Sequence, residues 1–469
     1  MKVLVIGSGG REHAICQAFS RSPLVSRLYC APGNAGIAAI AECVPIKAED
    51  VASLVQYAVD REIDLTFVGG EGPLARGVVD EFEGRGLKIV GASKAAARLE
   101  SSKAFAKDFM SRHAVPTARY FTADSPAEAI ETLGSGHFGD ALAPVVVKAD
   151  GLAAGKGVVV ARNRDEAISA CGELAEMVGI DAAERIVLEE FLDGREVSLL
   201  MFADGHDFAL MPPVRDHKRI GEGDTGPNTG GMGTITDAGL LTPAQTQTVI
   251  KDIIEPTLAG CIEEGFPFRG ILFLGLMMIG ESGSPLVRKD AEQETYITAT
   301  PKVLEYNVRF GDPETQSILV RLESDLAAIC TAMLEGKLAA TPIKWHDGNS
   351  ACVVLAAEGY PQRPRTGDVI QGLEEAAKMD DVTIFHAGTT LEADERGRMT
   401  DEKVSSVDSG RAHDSSAIRS HGSSFLTAGG RVLGVTATGD TLDRALKTAY
   451  SAVEKISWPG MQYRRDIGK

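Results

Sequence analysis

The sequence predicts an α/β protein with a doubly wound parallel sheet at the N-terminus, a central unit carrying a glycine-rich flap, and a mixed α/β unit at the C-terminus. Three observations carry this expectation. Short apolar runs alternate with amphipathic helical stretches over the first hundred residues. Those runs stop at glycine clusters: Gly7-Ser8-Gly9-Gly10, Pro32-Gly33-Asn34 and Gly69-Gly70-Glu71-Gly72. The length, 469 residues, corresponds to about three domains of roughly 150 residues each.

In chain order, Val3–Ile6, Leu28–Cys30, Asp64–Val68 and Lys88–Val90 read as strands, with helices at Arg11–Arg21, Val51–Asp60 and Pro73–Arg85. Ligands on a parallel sheet bind outside the C-terminal ends of its strands, and that edge carries the three glycine clusters. Ser101–Arg112 reads as a helix running into Val115-Pro116, a boundary signal. Val145–Lys148 and Val158–Ala161 are strands joined by a flap from Ala149 to Gly157; a helix at Arg164–Val178 and strands at Ile186–Glu189 and Glu196–Phe202 follow. Residues 215–236 read as a long Gly/Pro/Asp/Thr loop, Thr242–Glu264 as a helix, and Gly270–Ile279 and Lys302–Phe310 as strands, with a polar hairpin or flap at 281–300. Asp325–Gly336 is predicted helical, and Ala351–Ala357, Thr383–Gly388 and Arg431–Gly439 are strands of the last unit. Segment 391–428, with eight serines and twelve charged residues, reads as a mobile loop or disordered insertion. The expected domains are therefore 1–101, 102–325 (with a mobile subdomain at about 119–190) and 326–469.

Composition excludes several classes. The net charge is −18, from 48 basic and 66 acidic residues, and no run of five Lys/Arg occurs. A nucleic-acid partner needs a basic face, so none is expected. The longest apolar stretch, Ile271–Ile279, is far shorter than the roughly 20 residues that span a bilayer. Seven cysteines without a C-x-x-C pattern predict reduced thiols, and the N-terminus starts directly with a strand, so a cytoplasmic protein is expected.

Five motifs suit chemistry. Gly7-Ser-Gly9-Gly10-Arg-Glu-His13 opens a helix and suits a phosphate at its N-terminus. It fails as a nicotinamide fingerprint, because the third glycine would fall on Glu12 and no acidic residue ends the second strand; His13 reads as a packing or capping residue. Lys148 leads into Ala149-Asp-Gly-Leu-Ala-Ala-Gly155-Lys-Gly157, which joins strand to strand and so is not a Walker A loop. Such a flap suits backbone N–H groups laid over a triphosphate, with Lys148 directed at the same space. Glu189-Glu190-Phe191-Leu192 followed by Glu196 has the pattern of a nucleotide hinge, although paired glutamates commonly just face solvent. Asp216-His-Lys218-Arg219, within a glycine-rich loop, suits a small zwitterion or phosphate.

Glu305-Tyr-Asn307-Val-Arg309 is the sharpest signal. Alternate residues of a strand share a face, so a carboxylate, an amide and a guanidinium line one side while Leu304, Tyr306 and Val308 pack on the other. That set suits Mg²⁺ together with a phosphate, because Mg²⁺ takes one or two protein oxygens and shares the rest with phosphates and water. Arg309 would neutralise the phosphoryl group in transfer.

Together the segments VLVIGSGGREHA, APGNAG, EGPL, SKAFAKDFM, VVVKADGLAAGKGVVVA, EEFLDG, DHKRIGEGDTGPNTGGMG, LEYNVRFGDPETQ, FHAGT and GGRVLGV resemble the glycinamide ribonucleotide synthetases, ATP-grasp ligases of purine synthesis; they run in order from residue 3 to residue 435. The resemblance implies a central ATP-grasp fold with a lid, ATP as co-substrate, and Mg²⁺ or Mn²⁺. It implies that Lys103, Lys148 and the flap residues Gly155 and Gly157 hold ATP phosphates, and that Glu189, Leu192 (through its backbone) and Glu196 hold adenine and ribose. It assigns the metal to Glu305 and Asn307, the reacting carboxyl to Arg309, Asp216 and Lys218, and phosphoribosylamine to Gly9, Gly10 and Glu71. The implied partners are glycine, 5-phosphoribosylamine and ATP, with the chain acting as a monomer. Three departures from the family pattern stand out: Gly70 in place of a common proline, and the longer segments 281–300 and 391–428. The competing readings are another ATP-grasp ligase or carboxylase, a nicotinamide-dependent oxidoreductase, and a non-catalytic nucleotide sensor.

Overall fold

The structure, a computed structural model, describes residues 1–152, 157–179, 183–280, 287–290, 293–296, 299–392 and 424–469. Gly155, half of segment 281–300 and most of segment 391–428 lie outside the described residues. Within the former segment, Val287–Asp290 and Gln293–Tyr296 pair antiparallel.

The N-terminal sheet has five parallel strands, in the spatial order Glu42–Cys43, Arg27–Pro32, Lys2–Gly7, Leu65–Val68 and Ile89–Val90. The alternation within its first strand shows why helices cover both faces. Val3 and Val5 pack with Ala14, Ile15, Phe19 and Phe67 in one core, while Leu4 and Ile6 pack with Leu54, Leu74, Val78 and Phe82 in another. All four strand residues are fully buried. Because the first strand lies in the middle, the sheet reverses direction there, and the crevice beyond Gly7 and Val68 is the expected ligand position on such a sheet.

A four-stranded antiparallel sheet forms a separate layer, in the order Tyr120–Ala123, Ile186–Glu190, Val145–Ala149 and Val158–Ala161. The helices Pro126–Gly134 and Arg164–Val178 pack on it over Val145, Val147, Leu188 and Leu174. The largest sheet is antiparallel and runs Thr300–Asn307, Arg269–Ile279, Arg195–Asp204, Val214–Asp216, Gly233–Thr236, Asn349–Ala356, Arg431–Gly439 and Val382–His386. The three strands read as a last unit therefore extend the central sheet.

Four segments differ from their sequence reading. The stretch at 73–85 is two helices, Glu71–Ala75 and Val78–Glu83, because Gly77 adopts φ +82° between them. The helix expected from Ser101 restarts at Lys103–Arg112, where the Ser102 hydroxyl accepts from the Phe105 N–H at 3.1 Å. The long helix at 242–264 widens into a π-turn at Ile250–Ile254, directly before Pro256, which has no N–H to donate. The loop at 215–236 holds two strands of the central sheet and the hairpin Arg219–Gly221/Thr225–Asn228. Those strands are too short for a periodic signal.

The first and last units meet through buried histidines. The backbone N–H of His386 donates to Nδ1 of His13 at 2.8 Å, and the Asn34 amide donates to the carbonyls of Ser8 and His386, each at 2.8 Å. Burial pushes the His13 pKa down to about 3, helped by His386, and burial pushes His386 down to about 4. Both rings are thus neutral when folded and protonate more readily when unfolded. Their stabilisation is complete above the unfolded value near 6.5 and is lost as pH falls toward 3–4, at up to about 1.4 kcal/mol per unit for each ring. The melting temperature is expected to fall between pH 7.5 and 5, and His386→Leu is expected to flatten that dependence. An unchanged slope in the variant would contradict it.

Candidate active site

Five regions meet around Glu305 and Arg309: the strand Thr300–Asn307, the strand bearing Lys148, the helix start bearing Lys103, the loop bearing Lys218 and, through Arg11 and Glu71, the Gly10 helix start. Opposite Gly275 the metal-suited strand carries a bulge: Gly275 pairs with Glu305 but Leu276 pairs with Val303. The strand ends at Asn307, short of the expected Phe310, and Arg309 follows in a turn. Tyr306 remains buried with its hydroxyl 2.7 Å from that of Thr257, which fixes Glu305 and Asn307 on the opposite side of the strand.

Glu305 stands among cations. Burial alone would raise its pKa, but Lys218, Lys148, Lys103 and Arg309 outweigh burial and hold it below the ordinary carboxylate value. Among the described residues it has no ion-pair partner within 4.0 Å. An ionised, unpaired carboxylate ringed by four cations is arranged for a ligand. Asn307 Oδ1 accepts from Arg309 Nη2 at 3.3 Å. Among the described residues no three His, Cys, Asp or Glu side chains group closely enough to cage an ion. One carboxylate with one amide oxygen instead fits Mg²⁺ that shares its shell with phosphates.

Arg309 is held tightly. Its guanidinium lies 2.8 Å from Glu100 and 3.2 Å from Glu71, and Glu71 is in turn 3.9 Å from Arg11. The two carboxylates differ in consequence. Burial opposes ionisation of Glu71, but Arg309 and Arg11 take it down to about 2; burial and the nearby Glu71 push Glu100 upward despite Arg309. This cluster joins the metal-suited strand to the glycine edge of the first sheet. There the Gly9 N–H donates to Glu12 Oε2 at 2.5 Å, and a Cβ on Gly10 would stand 2.7 Å from Gln316 Nε2.

Lys148 is buried, as its strand position predicts, and Glu189 is buried beside it. Glu189 Oε1 lies 2.7 Å from Lys148 Nζ, off the axis of a hydrogen bond, and Oε2 lies 2.8 Å from Lys107 Nζ. The Glu189 side chain is therefore occupied by lysines. Lys103 Nζ donates to the Gly151 carbonyl at 3.0 Å. Asp150, beside it, accepts from Ser102 Oγ at 3.0 Å and from the Ala104 N–H at 2.7 Å, which pins the base of the flap to a helix N-terminus. Gly157 closes the flap's other end through the Ala149 N–H at 2.8 Å. Leu192 is buried just beyond the strand Ile186–Glu190, next to exposed Phe191. Glu196 and Lys218 form a close ion pair. Asp216 is half-buried, and its desolvation together with Glu314 pushes its pKa well upward.

Sequence reading missed several neighbours of these groups. Lys107 lies four residues after Lys103, on the same helix face, and that spacing was the available signal. Glu100 and Asp312 carried no signal, because their partners come from distant segments: Arg431 Nη2 lies 2.9 Å from Asp312, and Arg431 Nη1 donates to the Gly230 carbonyl at 2.5 Å.

A four-stranded antiparallel layer beside a central antiparallel sheet, with lysines from both directed at Glu305, defines the ATP-grasp class. Family comparison narrows this. Models described as the phosphoribosylglycinamide synthetase N, ATP-grasp (A) and C domains match residues 1–100, 101–315 and 350–469, and the chain belongs to that family. It is similar to the phosphoribosylamine–glycine ligase of Brucella melitensis, at 42% identity over 468 residues covering 100% of this chain and 97% of that one. The ligase of the same name from Escherichia coli O6:H1 is 45% identical over 475 residues, covering 100% of this chain and 98% of that one. Among solved structures, phosphoribosylamine–glycine ligase from Thermotoga maritima superposes with a TM-score of 0.76 at 32% identity, with 100% of both chains covered. The biotin carboxylase domain of Hydrogenobacter thermophilus 2-oxoglutarate carboxylase, solved with MgADP and bicarbonate, shares the fold at a TM-score of 0.65 and 15% identity, covering 98% of this chain and 91% of that one. The fold is the mixed α/β arrangement expected, and the chain is a ligase of this family. No helix among the described residues is long and apolar enough to cross a membrane.

Proposed function

We propose that this chain joins glycine to 5-phosphoribosylamine, converting ATP to ADP and phosphate and producing glycinamide ribonucleotide for purine biosynthesis. The observation that carries the reading is Glu305, ionised without a direct partner among four cations, in a chain whose full-length relatives bear the ligase name. A glycine carboxylate oxygen attacks the γ-phosphorus of ATP, and ADP leaves. The amine of phosphoribosylamine then attacks the acyl carbon of glycyl phosphate; phosphate leaves, and the amine proton is released as the amide forms.

No protein nucleophile is needed, so catalysis is positioning and charge neutralisation. Lys103 and Lys148 hold the phosphates, with Gly155 and Gly157 as further phosphate-binding residues. Leu192 offers its backbone to adenine and Glu196 accepts from the ribose. Arg309, together with Asp216 and Lys218, faces the glycine carboxyl. Gly9, Gly10 and Glu71 line the phosphoribosylamine side. A Mg²⁺ or Mn²⁺ ion would be held by Glu305 and Asn307 and would supply charge neutralisation on the phosphoryl group. The domains 1–101, 102–325 and 326–469 then serve as acceptor platform, ATP-grasp unit and closing unit. The chain acts as a monomer in this reading, and the seven free thiols suit the cytoplasm.

The experiment is ADP release with glycine, bicarbonate or formate as the only carboxyl donor. Glycine alone is expected to support turnover, and only when phosphoribosylamine is present. Turnover with bicarbonate or formate would instead indicate an ATP-grasp carboxylase or a different ligase.

A further inference from the structure

We infer that Lys107 is a positioning residue for ATP: by sharing Glu189 with Lys148, it leaves Lys148 charged and open to a phosphate. The inference rests on Lys148 being a phosphate-holding lysine. The Lys107 side chain is 2% exposed and the Glu189 side chain 2%. A lone buried ammonium is costly, so such a lysine requires both a counter-charge and hydrogen-bond acceptors. Lys107 has both: Glu189 Oε2 at 2.8 Å, and the Thr117 hydroxyl at 2.7 Å, which in turn donates a hydrogen bond to the Val303 carbonyl at 2.6 Å. Val303 lies two residues before Glu305 on the same strand.

The charges are unequal. Two ammonium groups flank one carboxylate, so the cluster carries one surplus positive charge. Both lysines pair with Glu189, but Lys107 is 2% exposed and has the Thr117 hydroxyl at 2.7 Å as a second partner, whereas Lys148 is 8% exposed and has beside Glu189 a long 3.3 Å bond to the Leu304 carbonyl. Its N–H groups are the ones left for an anion, and the surplus charge resides there. Without Lys107 the carboxylate would belong wholly to Lys148, and the pair would be neutral. The same contacts tie the helix Lys103–Arg112, the lid strand Ile186–Glu190 and the strand Thr300–Asn307 at one point, fixing where Lys148 stands relative to Glu305.

The test is MgADP affinity by calorimetry for Lys107→Met, Lys148→Met, and Lys107→Met combined with Glu189→Gln. Lys107→Met leaves a balanced ion pair and is expected to fold, with MgADP bound about tenfold more weakly. Adding Glu189→Gln frees the charge of Lys148 and is expected to restore affinity to within about threefold of the parent. A purely structural lysine would not be rescued by removing its partner. Weak binding in both, unchanged binding in Lys107→Met, or failure of both to fold would overturn the inference. Unchanged binding in Lys148→Met would instead overturn the underlying assignment of Lys148 to phosphate, so the two failures are distinguishable.

Discussion

Glu305→Gln is expected to lower ligase turnover about a hundredfold or more while leaving the melting temperature nearly unchanged. The substitution keeps size and shape. It removes a carboxylate that has no ion-pair partner among the described residues and faces Lys218, Lys148, Lys103 and Arg309, and with it the hard oxygen ligand that Mg²⁺ prefers. Two opposing changes keep stability level: the attraction of four cations is lost, and so is the cost of burying a carboxylate. Turnover measured from low to saturating Mg²⁺ checks this. A loss that Mg²⁺ does not repair is the expected result, and near-normal turnover at high Mg²⁺ would remove Glu305 from the metal site. Asn307→Ala should show the same pattern with a smaller loss.

Arg309→Met should destabilise the protein as well as inactivate it. The guanidinium serves Glu100 at 2.8 Å, Glu71 at 3.2 Å and the Asn307 amide oxygen at 3.3 Å. Removing it leaves Glu100, with an 8% exposed side chain, facing Glu71 without its counter-charge. Breaking a buried pair in this way costs about 3–5 kcal/mol. Thermal unfolding should show a clear drop, and adding Glu100→Gln should recover most of it by removing the stranded charge. Activity should stay low in the double variant, because the cation near the transferring phosphoryl group is still missing. Recovery of both stability and activity would make Arg309 a structural residue only.

The parts of this molecule that were readable in sequence are those with local causes. The Val3–Ile6 run, its glycine stop and the following helix are set by alternation and turn chemistry within about twenty residues. Glu305, Asn307 and Arg309 were placed together because a strand repeats every two residues, even though the strand itself stops at Asn307. What stayed hidden depends on distance along the chain. The partner of Arg309 is Glu100, that of Asp312 is Arg431, and the packing partner of His13 is His386. No spacing rule links such residues. Glu189 shows the same limit: nothing local in its hinge pattern indicates that its carboxylate stands between two lysines, one of them on the helix Lys103–Arg112. Short strands such as Val214–Asp216, preceded by Pro212-Pro213, span too few residues to show alternation.

The most direct measurement follows the oxygen. Glycine labelled with ¹⁸O in its carboxyl group, turned over with ATP and phosphoribosylamine, should yield inorganic phosphate carrying one ¹⁸O per molecule, because the carboxylate oxygen that attacks the γ-phosphorus leaves with it. Phosphate free of label, with amide still formed, would contradict an acyl phosphate route and the roles given to the cations around Glu305.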